Sequence, residues 1–274
     1  MSEPAVFVSI EALAEALASE TPPRVLDVRF VLGRDDGPAA YAAGHIPGAL
    51  YVDLPTDLAS PTGPGTGSRP LPDRDTFAAT VGSWGIDHDT RVVVYDDRRG
   101  LSAGRAWWLL KWIGLRDVEL LDGDYSAWVA ADLPTRGGIE HAAPAAFAAA
   151  PPLVREIDAD GAAQLGARAR LLDARTADDV SGKGRIPGAR VVSTVDNVGG
   201  DGRLLPLRQL RERFAAVGAT DGEELGVYCG GGVVATHEIA VLRHIGVDAA
   251  LYPGSWSEWI TDPSRPIDDG ANDA

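Results

Sequence analysis

The residues best suited to chemistry lie in one stretch, Val227-Tyr228-Cys229-Gly230-Gly231-Gly232-Val233-Val234-Ala235. It holds the chain's only cysteine, placed where an apolar, strand-like run gives way to three glycines and then to a helical pattern from about Val234 through Leu242. Glycine adopts positive φ at little steric cost, so this run can curl tightly. A helix that begins just after the curl turns its unpaired N–H groups and the positive end of its dipole back toward the sulfur. Amides converging on a thiol favour its anionic form and hold a negative charge attached to it. The chemistry on offer is that of a reactive thiolate. A second reading stays open at this point, because a lone cysteine also serves as a small buried hydrophobe; placement and exposure separate the two.

The elements that must position this loop follow from the patterning. Ser9 is placed to cap a helix whose Leu13, Ala16 and Leu17 share one face. Val25-Leu26-Asp27-Val28-Arg29 reads as a short buried strand, and residues 55–72, dense in Pro, Gly, Ser and Thr, as a long surface loop. The glycine cluster from Gly63 to Gly67 inside that loop has no strand before it and no helix directly after, the context a phosphate loop requires. Asp73 to Trp84 is expected to be a helix, Arg91 to Asp97 a central strand, Gly104 to Ile113 a helix carrying Trp107, Trp108 and Trp112, and Val118 to Gly123 a last strand and turn. A Gly/Ala/Pro-rich connector follows, and residues after about Asp268 look like a frayed tail.

Beyond the connector the pattern repeats. Val25-Leu26-Asp27-Val28-Arg29 is answered by Leu171-Leu172-Asp173-Ala174-Arg175 at an offset of 146, and Gly44-His45-Ile46-Pro47-Gly48-Ala49 by Gly184-Arg185-Ile186-Pro187-Gly188-Ala189 at 140. Val93-Val94-Tyr95-Asp96 is answered by Gly226-Val227-Tyr228-Cys229 at 133, and the segment ending in Trp128 by Pro253-Gly254-Ser255-Trp256-Ser257-Glu258-Trp259 at 131. Four blocks in one order with slowly drifting offsets define an internal duplication. Short strands alternating with helices in each half predict an α/β fold, two domains each built on a parallel sheet flanked by helices. The expected boundaries are a first domain over residues 1–136, a linker over 137–152 and a second domain over 153–274. Asp96 and Cys229 then end matching central strands, where ligands of open α/β sheets bind. Only the second half has a nucleophile there.

Composition narrows the partners. A net charge of −15 argues against nucleic acid or an anionic membrane as a partner. No apolar run approaches the roughly 18 residues of a membrane span. Met1-Ser2-Glu3-Pro4 lacks the basic and apolar regions of a secretion signal, and a single cysteine allows no intramolecular disulfide, so a cytoplasmic location is expected.

Taken together, the Leu-Asp-x-Arg strand, the Gly-His-Ile-Pro-Gly-Ala segment, the Tyr-Cys-Gly-x-Gly-Val loop and Gly-Ser-Trp-Ser-Glu-Trp resemble the tandem rhodanese-domain sulfurtransferases, the thiosulfate and 3-mercaptopyruvate sulfurtransferase family. The resemblance covers essentially the whole chain. It implies two rhodanese-like domains, the N-terminal one inactive with Asp96 at the nucleophile position, the C-terminal one catalytic through Cys229. The implied reaction passes sulfane sulfur from thiosulfate or 3-mercaptopyruvate, through a Cys229 persulfide, to a thiol or cyanide. Loop amides over Gly230, Gly231, Gly232, Val233 and Val234 would stabilise the anionic sulfur. The thiol acceptor would be a thioredoxin-like protein or a small thiol, and no metal or organic cofactor is implied. The loop type is closer to the 3-mercaptopyruvate branch.

The resemblance has departures. The 3-mercaptopyruvate enzymes usually carry a relay serine two residues after the cysteine, where this chain has Gly231. His45 with Asp35 or Asp36 matches the relay's other members. Where the family places substrate-binding arginines, this chain runs Thr176 to Lys183 with Asp179 at about the expected position; Lys183 and Arg185 are the candidate substitute cations. A partner-dependent persulfide carrier without catalysis of its own is the alternative function. The Cys229 loop has no arginine, as a phosphatase or arsenate reductase on this fold would require. His237 and His244, seven apart, could share a helix face but lack further ligands at zinc spacing.

Overall fold

Each half of the chain builds one five-stranded sheet with every pairing parallel. The structure, a computed structural model, describes residues 5–269; Met1 to Pro4 and, from residue 270 on, all but the first residue of the tail expected after about Asp268 lie outside the described residues.

In the first sheet the strands are β1 (Phe7–Ser9), β2 (Arg24–Asp27), β3 (Leu50–Tyr51), β4 (Val92–Tyr95) and β5 (Val118–Asp122), in the order β1-β5-β4-β2-β3. Their helices are α1 (Ile10–Leu17), α2 (Gly37–Ala43), α3 (Leu54–Asp57), α4 (Arg74–Ser83), α5 (Ala103–Trp112) and α6 (Tyr125–Ala130). The second sheet holds β6 (Arg155–Glu156), β7 (Leu171–Asp173), β8 (Arg190–Val191), β9 (Gly226–Tyr228) and β10 (Ala250–Leu251), in the order β6-β10-β9-β7-β8. Helices α7 (Ala159–Ala167), α8 (Ala177–Val180), α9 (Leu207–Ala216), α10 (Val234–His244) and α11 (Ser255–Trp259) accompany it, with one 3-10 turn at Thr194–Asn197.

The two strand orders match position for position, as a duplication requires. Central strands β4 and β9 are buried along their whole length, which is why they read as unbroken apolar runs instead of alternating ones. Ser9 and Asp73 cap α1 and α4 through side chains that accept from the amides of Ala12 (3.1 Å) and Thr76 (2.9 Å).

The repeated motifs are the stitches at the strand ends. Asp27 and Asp173 are fully buried, and Arg29 and Arg175 grip them with two nitrogens each. Each arginine also donates to the turn that follows, Arg29 to Gly44 O (2.6 Å) and Arg175 to Gly184 O (2.9 Å). The hydroxyls of Tyr95 and Tyr228 accept the amides of Ile46 (3.2 Å) and Ile186 (3.0 Å) in those same turns. These two tyrosines immediately precede Asp96 and Cys229, so the motifs fix the ends of the strands that present them.

Two expectations change. The stretch over 55–72 is not all loop: Pro55 lies in the first turn of α3, where a proline is tolerated, and Leu58, Ala59 and Gly67 are buried. The connector expected over 137–152 is laid along the first unit, which extends to Leu153. Ala145 and Ala150 donate their amides to Gly82 O (2.9 Å) and Ile113 O (2.8 Å), and His88 stacks on Phe147. Backbone bonds hold this segment, and they leave no apolar periodicity in the sequence to signal it. Two segments are also exchanged between units: Ser60–Leu71 belongs to the second compact unit and Val198–Leu204 to the first.

Candidate active site

Cys229 directly follows β9 and is 2% exposed. Its sulfur accepts the amide of Gly232 at 3.2 Å. That contact needs the chain to double back within three residues, and Gly232 does so at φ +74, in the left-handed region. A Cβ at Gly232 would stand 2.3 Å from the carbonyl oxygen of Pro253, so glycine is required there twice over. Helix α10 begins two residues later, with Val233 at its N-cap and no side chain capping it.

The Gly-Ser-Trp-Ser-Glu-Trp segment, where α11 starts, clamps the backbone of this loop. Trp256 and Ser257 donate their amides to the carbonyls of Cys229 and Gly230, both at 2.9 Å. The Cys229 amide donates to Ser255 Oγ (3.2 Å), which in turn donates to Tyr252 O (2.9 Å). Ser255 sits at φ +55, a left-handed conformation uncommon outside glycine. Arg175 lies over the Trp256 ring, 4.9 Å from its centroid.

The matching loop of the first unit shows what this backbone shape holds. The carboxylate of Asp96, fully buried, accepts four amides: Arg98 (2.7 Å) and Gly100 (2.9 Å) on one oxygen, Ser102 (2.6 Å) and Ala103 (2.8 Å) on the other. Burial pushes the Asp96 carboxyl up against the pull of those amides. The loop is a nest of inward N–H groups with a built-in anion. Between strand and helix it is two residues longer than the loop from Gly230 to Val233.

Behind the Cys229 loop, α10 carries a buried polar group of residues. The His237 Nδ1 is 2.8 Å from Thr194 Oγ1, and Asn197 donates to Glu238 Oε2 at 2.6 Å. Burial pushes the Glu238 carboxyl up to about 8 and the His237 imidazole down to about 4. His244 at the end of the helix is exposed, so the two histidines occupy different environments. Among the described residues no group of three or more His, Cys, Asp or Glu is placed to hold a metal.

The other sequence-predicted residues are engaged within their own units. His45 is fully buried, stacked on Tyr41 (4.2 Å), with Nδ1 3.0 Å from Tyr41 O and Nε2 3.8 Å from Glu140. The carboxylate beside it is therefore Glu140's, while Asp36 pairs with Arg34. Lys183 is exposed, and Arg185 pairs with Asp268 at 2.9 Å. Arg185 lines a cleft with Ala177, Ser181, Gly184 and Val191, a set without Cys229. Asp179 helps start α8, its amide and carboxylate both bonded to the Thr176 hydroxyl. His45 and Arg185 hold equivalent places, each forming an antiparallel bridge, His45 to Arg136 and Arg185 to Asp268. The structure adds three serines to the vicinity of the loop, Ser255 and Ser257 from α11 and Ser68 from the exchanged segment. The repeated Ser-Trp block was a signal for the first two; nothing in sequence spacing links Ser68 to a loop 161 residues away.

Comparison with known proteins agrees with this geometry. The family model for the rhodanese-like domain matches twice, over residues 9–131 and 154–262, and the chain belongs to that family. A Pseudomonas aeruginosa protein, "Probable 3-mercaptopyruvate sulfurtransferase", is 44% identical over 97% of this chain and 99% of its own length. The Mycobacterium tuberculosis "Putative thiosulfate sulfurtransferase SseB" is 38% identical over 97% of both. The crystal structure of SseA, a 3-mercaptopyruvate sulfotransferase from Escherichia coli, superposes with a TM-score of 0.81 at 29% identity, over 92% of this chain and 99% of that one.

Proposed function

We propose that the chain is a sulfurtransferase in which Cys229 takes the thiol sulfur of 3-mercaptopyruvate, holds it as the sulfane sulfur of a persulfide and passes it to a thiol or to cyanide. In the first half-reaction the Cys229 thiolate attacks the donor's sulfur. The S–S bond forms, the donor's C–S bond breaks with its electron pair going to carbon, and the donor's thiol proton ends on that carbon, giving pyruvate and a Cys229 persulfide anion. In the second, an acceptor thiolate or cyanide attacks the outer sulfur and the Cys229 thiolate leaves. A thioredoxin-like protein or a small thiol supplies the acceptor. The residues named need no metal or organic cofactor for either step.

The observation that carries this reading is the Gly232 amide on Cys229 Sγ, at 3.2 Å, within a loop whose counterpart wraps the Asp96 carboxylate in amides. A cysteine persulfide reaches two atoms beyond Cβ and ends in a negative charge, just as an aspartate does. The loop is thus built for the charged intermediate more than for the resting thiol, which is the way binding contributes to rate.

Thiosulfate is the second donor reading, favoured by the name of the Mycobacterium tuberculosis relative; there the S–S bond of the donor breaks and sulfite leaves with the pair. Sulfur release from both donors, measured side by side in wild type and Cys229→Ser, tests the proposal. The wild type should turn over, faster with 3-mercaptopyruvate, and the variant should lose at least about a thousandfold, as removal of a covalent nucleophile does. Equal turnover in the variant would sink the mechanism. No turnover of either donor by the wild type would leave a partner-dependent persulfide carrier in its place.

A further inference from the structure

We infer that Ser68 supplies the working hydroxyl of the Cys229 site, contacting the sulfur donor, and that residue 231 is glycine to admit it; the inference rests on the reading of Cys229 as the sulfur-carrying nucleophile. Built onto Gly231, a Cβ would stand 2.2 Å from Ser68 Oγ, with Ser257 Oγ at 3.8 Å. The hydroxyl of one segment therefore fills the place where the side chain of residue 231 would start, two residues from the sulfur. Gly231 does not need to be glycine for its backbone, since it is not among the residues of positive φ.

Ser68 is held where it is from both sides. Its amide donates to Ser257 Oγ at 2.9 Å, and Ser257 donates its own amide to Gly230 O at 2.9 Å, so one serine ties the segment to the cysteine loop. Arg69 Nη1 donates back to Ser68 O (2.7 Å), and Ser60 closes the base of the segment onto Pro70 O (3.2 Å). Next to it Gly67 is buried, with room for no Cβ: one would lie 2.5 Å from Gly254 O. Ser68 itself is exposed. Ser257 Oγ already accepts from Ser68 and donates to Gly254 O at 3.3 Å, which leaves the Ser68 hydroxyl as the one whose proton can turn toward a bound donor.

Both donor classes are anions whose departing group gains charge, enolate oxygen in one case and sulfite oxygen in the other. A hydroxyl fixed beside the loop donates a hydrogen bond to that oxygen as charge builds; it transfers no proton and stays unchanged. A neutral donor to a developing charge is worth about a tenfold change in rate.

The test follows sulfur loading onto Cys229 by intact-protein mass in single turnovers with 3-mercaptopyruvate and with thiosulfate, alongside kcat and KM. Ser68→Ala should load about tenfold more slowly with its melting temperature unchanged, and Ser68→Thr should stay near wild type. Gly231→Ser alone should impair loading, because its Cβ meets Ser68 Oγ, whereas Ser68→Gly combined with Gly231→Ser should recover most of what Ser68→Gly loses. A hydroxyl that only propped up the loop would not be replaced from the other segment. Loading at the wild-type rate in Ser68→Ala, or a double variant no better than Ser68→Gly, overturns the inference while leaving Cys229 in its role. A wild type that loads from neither donor overturns both.

Discussion

Gly232 donates its amide to the sulfur of Cys229 across 3.2 Å, from a φ of +74. Everything the sequence repeats converges on keeping that pair in place. The Asp173–Arg175 grip fixes the strand end beside Tyr228, and α11 pins the carbonyls of Cys229 and Gly230. The loop therefore has little freedom of its own, and its electrostatics come ready-made.

Two glycines of the loop should answer differently to the same substitution. Gly232→Ala places a Cβ 2.3 Å from Pro253 O at a φ that alanine resists, so the loop must shift; a loss of about 1–3 kcal/mol and of most sulfur transfer is expected. Gly230→Ala meets nothing within 4 Å and has no left-handed φ, so its stability should stay within about 0.5 kcal/mol of wild type. Chemical denaturation and donor turnover on the two variants check this. Equal damage from both would mean that chain flexibility, and not the Gly232 geometry, matters.

How far the sequence carried the site depends on the distance each signal had to span. Cys229, its glycines and the strand before it are contiguous, so type and order alone single them out as the candidate. The duplication gave both sheets, because each repeated block is a short segment whose buried side chains act locally. His45 and Asp36 show where spacing stops informing: it suggests a relay but not their neighbours, Tyr41 stacked on the buried His45 and Arg34 paired with Asp36. Burial and local partners of this kind are not written in spacing. Ser68 was out of reach for another reason. It sits in a Pro/Gly-rich stretch without periodicity, and its tie to Ser257 spans 189 residues.

The repeated aspartate–arginine pairs should be worth far more than ion pairs on the surface. Arg175→Ala would leave the Asp173 carboxylate fully buried without its partner and remove the cation over Trp256, at a cost of about 3–5 kcal/mol. Arg208→Ala, which breaks an exposed pair with Glu212, should change stability by less than about 0.5 kcal/mol. Urea midpoints for the two variants make the comparison. Similar midpoints would show that Asp173 finds other donors when the arginine is gone.

Glu238 and His237 should give the protein an asymmetric pH profile. Burial raises the Glu238 carboxyl from 4.5 to about 8, so the folded state holds its proton where the unfolded chain has lost it; that contribution is complete below 4.5 and is lost as the pH rises through 8. His237 works the other way. Burial lowers it from 6.5 to about 4, so its contribution is present above 6.5 and is lost as the pH falls through 4. Between about pH 4.5 and 6.5 the two slopes oppose, and between 6.5 and 8 only Glu238 acts, lowering stability by about 2 kcal/mol. Thr194, Asn197, Asp196 and Arg213 surround the carboxyl and set its starting point, with Arg213 pulling it down and Asp196 pushing it up. Glu238→Gln keeps an acceptor for Asn197 and carries no charge, so its stability should be flat from pH 6.5 to 8 where the wild type declines. Urea titrations at intervals of pH on both proteins measure the slopes, and parallel curves would place the decline on other groups.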